Sequence, residues 1–317
     1  MRKVLVIGTG GTISCAETPN GLAPTLSVDD LLRKIELPAD TRSEQLFNLD
    51  GTNMTPRHWE QLARDIRTRY DEFDGFVITH GTDTMAYAAA SLSCLIQNSR
   101  KPIVFTGSMK PMTAENSDAP KNLRNAVALA ADERAFGVRL AFGDRIFDGR
   151  KVSKINSREF NAFDSINYDE KACFNENGEI IFDEEYSGET RFYDRLSDDV
   201  FLVKLIPAQP LVVPKGKCAV IIESYGAGGV PEYLSDDIIK LSKSGIYVII
   251  TTSCPYGGTN LCEYEVGKSA ANACTLFESG KATVEYTVAK ARWALAYSDN
   301  SEDFKKLFCV GNAEGLL

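Results

Sequence analysis

VLVIGTGGTIS, from Val4 to Ser14, is the most informative segment of the chain. Four apolar β-formers run into a glycine-rich turn, Gly8-Thr9-Gly10-Gly11-Thr12. A short apolar run closed by glycine reads as a strand buried on both faces of a parallel sheet. The pattern recurs in GFVITHG at 75–81 and PIVFTG at 102–107, and helical periods follow in LSVDDLLRKI at 26–35, TMAYAAASLSCLI at 84–96 and NLRNAVALAAD at 122–132. Strand, loop and helix alternate, so the expected fold is α/β, with a larger N-terminal, mostly parallel sheet flanked by helices. In such a sheet, ligands belong beyond the carboxyl ends of the strands.

Between Asn175 and Asp199 the chain turns acidic and turn-rich, and the proline-flanked LIPAQPLVVPKGK at 205–217 leads to a new strand, CAVIIES at 218–224. The alternation then resumes: EYLSDDIIKLSKSG at 232–245, IYVIITTS at 246–253, EYEVGKSAANAC at 263–274 and VEYTVAKARWALAYS at 284–298. The expected organisation is a catalytic α/β domain over 1–190, a linker over 191–214 and a smaller α/β domain over 215–317. A length of 317 residues exceeds the size at which one core stops growing.

Charge and composition narrow the function classes. Lys and Arg total 35 against 44 Asp and Glu, a formal net charge of -9, which argues against a nucleic-acid partner. The cysteines at 15, 94, 173, 218, 254, 262, 274 and 309 contain no C-x-x-C pair, and His58 and His80 are the only histidines. Metal-ligand spacing is absent, and the cysteines are expected as buried free thiols. The apolar run after Met1-Arg2-Lys3 is too short for a signal peptide, and no run approaches the ~20 apolar residues of a membrane span. The expected location is the cytoplasm.

The glycine loop admits three readings. A dinucleotide fingerprint counted from Gly8 needs glycine where Ile13 stands, and the Gly-Lys-Ser/Thr of a P-loop is missing. A tight turn capped by threonines and a loop presenting a nucleophile remain beside the phosphate cradle. A second loop, THGTDTMAY at 79–87, gathers Thr79, Thr82 and Thr84 around Asp83, with His80 beside them. A threonine hydroxyl is a poor nucleophile without a group to take its proton. With histidine scarce, a lysine oriented by an acid is the candidate, and DGRKVSKINS at 148–157 offers Lys154 in a strand-like segment and Lys151 in a solvated turn. Composition does not choose between them.

With those loops read, the chain resembles the bacterial-type L-asparaginases, their cytoplasmic (type I) branch in particular. The matching pieces run in family order: IGTGGTIS at 7–14, NLDGTNMTP at 48–56, DGFVITHGTDTMAY at 74–87, TGSMKP at 106–111, NSDAPKNLRNA at 116–126, DGRKVSKINSREFNAFDSIN at 148–167, SYGAGGVP at 224–231 and TTSCPYGGTNLCEYEVG at 251–267. The resemblance implies hydrolysis of the side-chain amide of asparagine to aspartate and ammonia, with no metal or organic cofactor. Thr12 matches the family's nucleophile, and Thr82, Asp83 and Lys154 match its hydroxyl-activating group. Asp50, Gly51, Thr52, Gly81 and Ser108 fall in the segments that line the substrate pocket. Self-association into a dimer or tetramer is also implied.

Two positions depart from the family. Gly51 stands where a serine usually helps hold the substrate α-carboxylate, and Leu22, in the lid segment of residues 15–27, stands where a tyrosine is frequent. Both changes remove a hydroxyl, so weakened or altered specificity is expected, and Gly51→Ser is expected to lower the Michaelis constant. The competing readings are a catalytically weak amino-acid-binding homologue, supported by those two departures, and a dinucleotide-dependent oxidoreductase, supported by the glycine loop alone. The threonine amidase module of a transfer-RNA-dependent amidotransferase is a near relative; it carries an extra domain before its glycine loop, and a free-standing hydrolase is expected here.

Overall fold

A computed structural model describes residues 2–19, 21–261 and 275–309, and the chain divides into two compact units, Met1–Asp194 and Arg195–Leu317. The first is built on an eight-stranded sheet. Five strands in the order Asp40–Leu49, Lys3–Gly10, Gly75–Thr79, Ile103–Thr106 and Val138–Phe142 are parallel. Arg145–Asp148, Ala172–Phe174 and Ile180–Phe182 then extend the sheet antiparallel. The three inner parallel strands 3–10, 75–79 and 103–106 are buried almost end to end, which is why they read as unbroken apolar runs. The core on one face packs Val4, Val6, Val77 and Val104 against Leu123, Ala126, Val127 and Ala130 of the helix Ala119–Ala130.

Two elements go beyond the expected alternation. Asp40–Leu49 is an edge strand, exposed along much of its length and hence polar in sequence. The helix Pro56–Thr68 buries Trp59, Leu62, Ala63 and Ile66 at helical spacing behind Pro56 in its first turn. The helix expected over 26–35 is shorter, Val28–Leu32, opened by a reciprocal capping box between Ser27 and Asp30.

The second unit carries a four-stranded sheet, Val200–Lys204, Ala219–Ser224, Tyr247–Thr252 and Leu276–Glu278, parallel throughout. Val200–Lys204 lies within the stretch expected as a linker: its apolar run leads on to Pro207 and is not closed by a glycine, yet it pairs along its whole length with Ala219–Glu223. Helices Ser235–Lys243, Val284–Tyr297 and Ser301–Cys309 accompany this sheet. Residues 263–274, expected as a further element, lie outside the described residues.

Of the cysteines described, 15, 94, 173, 218, 254 and 309 are free thiols. Cys15 and Cys94 are buried as expected, but Cys218, Cys254 and Cys309 are exposed. Cys254 belongs to a loop that follows the end of the strand Tyr247–Thr252. Among the described residues no helix is long and apolar enough to cross a membrane.

Candidate active site

Three loops at the carboxyl ends of adjacent parallel strands meet through three glycines. The first strand ends at Gly10 and Gly11, whose φ values of 102° and 78° fall in the left-handed region that favours glycine. The chain therefore turns sharply into the short 3-10 turn Thr12–Ser14. A Cβ on Gly11 would run into the backbone of His80 and Gly81, a Cβ on Gly51 would lie 2.9 Å from Gly81 Cα, and one on Gly81 would lie 2.5 Å from Gly51 Cα. Backbone-to-backbone contact thus brings together the glycines that immediately precede Thr12, Thr52 and Thr82.

Thr82 is buried, whereas the Asp83 side chain is 60% exposed. Lys154 ends the strand Val152–Lys154 of a small hairpin, paired with Phe163 in Phe163–Ser165. Its ammonium donates to Thr82 Oγ1 at 2.9 Å and to Asp83 Oδ1 at 2.6 Å. The structure therefore brings Thr82, Asp83 and Lys154 into one hydrogen-bonded group. Thr12, half-buried, makes no side-chain hydrogen bond among the described residues.

The hairpin is anchored from below by charge. The Asp148 carboxylate accepts from the Arg150 N–H at 2.9 Å, from Arg150 Nε at 2.9 Å and from Nη2 at 2.7 Å. Burial pushes the Asp148 carboxyl up, but Arg150, with Arg139 and Lys151 behind it, outweighs burial and holds it well below the usual carboxylate range. Arg145 Nη1 donates to the Phe163 carbonyl at 2.9 Å, opposite Lys154, while its guanidinium pairs with Glu170 and Asp164. Lys151 is not in a solvated turn: its side chain is 17% exposed, lies over the Tyr168 ring at 4.7 Å and has its pKa lowered by burial against the pull of Asp148. The turn looks exposed in sequence because it is short and charged. Its backbone is instead sealed to the sheet by Gly149 N–H on the Val138 carbonyl and Ile166 N–H on the Lys151 carbonyl.

The second loop is built around Asp50, which opens the 3-10 turn Gly51–Asn53. Its Oδ1 accepts from the Thr52 hydroxyl at 2.6 Å and from the Thr52 N–H at 2.8 Å. These two donors, the hydroxyl first, hold the Asp50 carboxyl below its ordinary value. A Cβ at position 51 would meet the Gly81 backbone, so in this chain Gly51→Ser is no simple restoration of a hydroxyl. Leu22 sits on the hairpin Cys15–Thr18/Gly21–Pro24 opposite Glu17 and is 59% exposed.

His80 is fully buried, and burial pushes its pKa down to about 4 against the opposing pull of the Gly81 carbonyl. The neutral ring must then donate from Nδ1 to that carbonyl, 2.8 Å away. It orients the loop and is not bonded to the Thr82–Asp83–Lys154 group. Ser108 is buried, and its hydroxyl donates to the Lys110 carbonyl within its own loop. That loop is held from the next helix: Asp118 accepts from Met109 N–H at 2.9 Å and Lys110 N–H at 3.1 Å, and Asn122 Nδ2 donates to the Gly107 carbonyl at 2.9 Å. Asp118 and Asn122 were legible as polar residues of NSDAPKNLRNA, but only the fold assigns them this holding role. Among the described residues no three His, Cys, Asp or Glu side chains gather as a metal would require.

The arrangement suits acyl transfer: hydroxyls, a lysine that stabilises negative charge on one of them, and exposed carboxylates for a cationic end of a substrate. Residues 3–187 match the model of the asparaginase N-terminal domain, and residues 210–308 match that of the glutaminase/asparaginase C-terminal domain. The L-asparaginase of Thermococcus kodakarensis is 38% identical over 319 residues, which span 96% of this chain and 96% of that protein. The solved structure of the thermostable L-asparaginase from the same organism superposes with a TM-score of 0.91 at 37% identity over 99% of each chain. A probable cytoplasmic L-asparaginase from Campylobacter jejuni superposes with a TM-score of 0.83 at 26% identity, covering 98% of this chain and 99% of that one.

Proposed function

The chain belongs to the asparaginase family, and we infer from that membership that it is an L-asparaginase, hydrolysing the side-chain amide of L-asparagine to L-aspartate and ammonia. The observation that carries the residue assignment is one lysine ammonium bound at once to a buried threonine hydroxyl and a carboxylate. In the proposed mechanism Thr12 Oγ1 bonds to the amide carbon, its proton passes to the amide nitrogen, and the C–N bond breaks to release ammonia. Water then adds to the resulting aspartyl ester, the bond to Thr12 Oγ1 breaks, and a proton returns to that oxygen.

The Thr12 proton reaches the amide nitrogen by way of Thr82, which gives up its own proton as it takes one, and Lys154, 2.9 Å from Thr82 Oγ1, stabilises the negative charge on that oxygen as the proton passes. Asp83 holds Lys154 through one oxygen, and its exposed side accepts the substrate α-ammonium; Asp50, kept ionised by Thr52, adds to the same field. Gly11 N–H is already committed to the Leu49 carbonyl at 2.8 Å, so the main-chain donors for the amide oxyanion are assigned to Thr12 and to the Gly81–Thr82 segment. The proposal includes Gly51, Thr52 and Ser108 as pocket lining, a cytoplasmic location and a homo-oligomer.

Ammonia release from L-asparagine, L-glutamine and D-asparagine tests the reading, with Thr12→Ala and Lys154→Met beside the wild type. Release from L-asparagine that vanishes in Thr12→Ala is expected. Folded wild-type protein that releases nothing from any of the three amides would overturn it. Light scattering of the same preparation reads the oligomeric state.

A further inference from the structure

Thr84 occupies the cap position before the helix Met85–Leu95, yet its side chain caps nothing in that helix. A threonine there ordinarily accepts a hydrogen bond from the first turn. Here its hydroxyl instead donates across to the Gly51 carbonyl at 2.6 Å, a residue 33 positions earlier in the chain. The same carbonyl accepts the longer bond from Met54 N–H at 3.3 Å. At the other end of that peptide unit, Thr52 N–H is held by Asp50 Oδ1 at 2.8 Å. The Gly51–Thr52 peptide is therefore pinned at both ends, and the pin at its carbonyl comes from the residue after Thr82 and Asp83.

We propose that Thr84 is a positioning residue for the amino-acid end of the substrate: its bond to the Gly51 carbonyl sets the Asp50–Thr52 loop at a fixed distance from Thr82 and Asp83. The inference rests on the asparaginase reading. Three consecutive residues then serve one substrate: Thr82 and Asp83 hold the lysine, Asp83 also faces the α-ammonium, and Thr84 sets the neighbouring loop. Steric contact between Gly51 and Gly81 limits how closely the loops approach, and the Thr84 bond keeps them from parting.

The split between substrate capture and turnover tests it. In Thr84→Val the hydroxyl is lost at nearly constant volume and no helix cap is removed. The expected result is a rise of about two- to tenfold in KM for L-asparagine with kcat within about twofold, the upper figure being the whole worth of one hydrogen bond when binding must restore the loop that it held. Thr84→Ser is expected to restore KM, and amide exchange at Thr52 and Met54 is expected to quicken in Thr84→Val alone. A Thr84→Val enzyme that keeps the wild-type KM, or a KM that Thr84→Ser fails to restore, overturns the inference while leaving the asparaginase reading in place. Wild-type protein without asparaginase activity overturns that reading, and this inference with it.

Discussion

A side chain at position 51 is expected to destabilise the free enzyme, whatever its hydroxyl adds to substrate binding. The Cβ of Gly51→Ser or Gly51→Ala would stand 2.9 Å from Gly81 Cα and 3.1 Å from Gly81 C. Both are backbone atoms, held on one side by the strand Gly75–Thr79 and on the other by the Gly81 carbonyl bond to His80. Neither can step aside as the end of a flexible side chain would. Overpacking of this kind destabilises by about 1–3 kcal/mol. A new hydrogen bond from the serine to a charged substrate carboxylate contributes about 1.5–3 kcal/mol, and only when substrate is bound. The free enzyme therefore bears the contact without compensation: Gly51→Ser is expected to lose about 1–3 kcal/mol of stability in urea, and Gly51→Ala, which has no hydroxyl to set against the contact, to raise KM for asparagine because the loops must separate. Gly81→Ala is the more severe companion, with its Cβ 2.5 Å from Gly51 Cα. Equilibrium urea denaturation and steady-state kinetics on these variants settle the matter. A Gly51→Ser protein with wild-type stability and a lowered KM would refute the steric argument and reinstate the missing-hydroxyl explanation.

Lys154→Met is expected to lower kcat by about 10²–10³, the usual loss on removing a donor that stabilises a forming oxyanion, with far-UV circular dichroism unchanged. His80, whose pKa is pushed down to about 4 by burial, is neutral in the fold while the unfolded chain takes up a proton nearer 6.5. The unfolded state therefore binds more protons between those values, so stability falls as pH drops from about 6.5 towards 4, by on the order of 3 kcal/mol from this group. Denaturation midpoints followed across that range should lose this slope in His80→Gln. Asp148→Asn leaves Arg150 and Lys151 without their shared buried counter-charge, and urea denaturation should register a loss of about 3–5 kcal/mol. Unchanged stability there would show that the anchor of the Lys154 hairpin lies elsewhere.

The layering of the fold and the places of the strand-end loops were written in the letters alone. VLVIG, GFVIT and PIVFT are buried on both faces, so they could only be written in apolar β-formers, and the glycines and threonines that follow them mark where those strands release the chain. Thr12, Thr82 and Asp83 were legible on those loops, while Lys154 was chosen by resemblance alone. Tertiary structure decided what those letters touch. A lysine is chosen over its neighbour only by which side chain reaches Thr82 and Asp83, and that depends on a hairpin joined across 72 positions of chain. Lys151 is buried because its turn closes on a strand, and a solvated turn has the same composition. Gly51 reads in sequence as a lost hydroxyl, but in the fold it is the space that lets Gly81 approach. Thr84 reads as a helix cap, but its donor goes to another loop. Local patterns record which face of a strand or helix is covered, because burial repeats with the period of the element. Contacts between loops have no period, and only the folded chain specifies them.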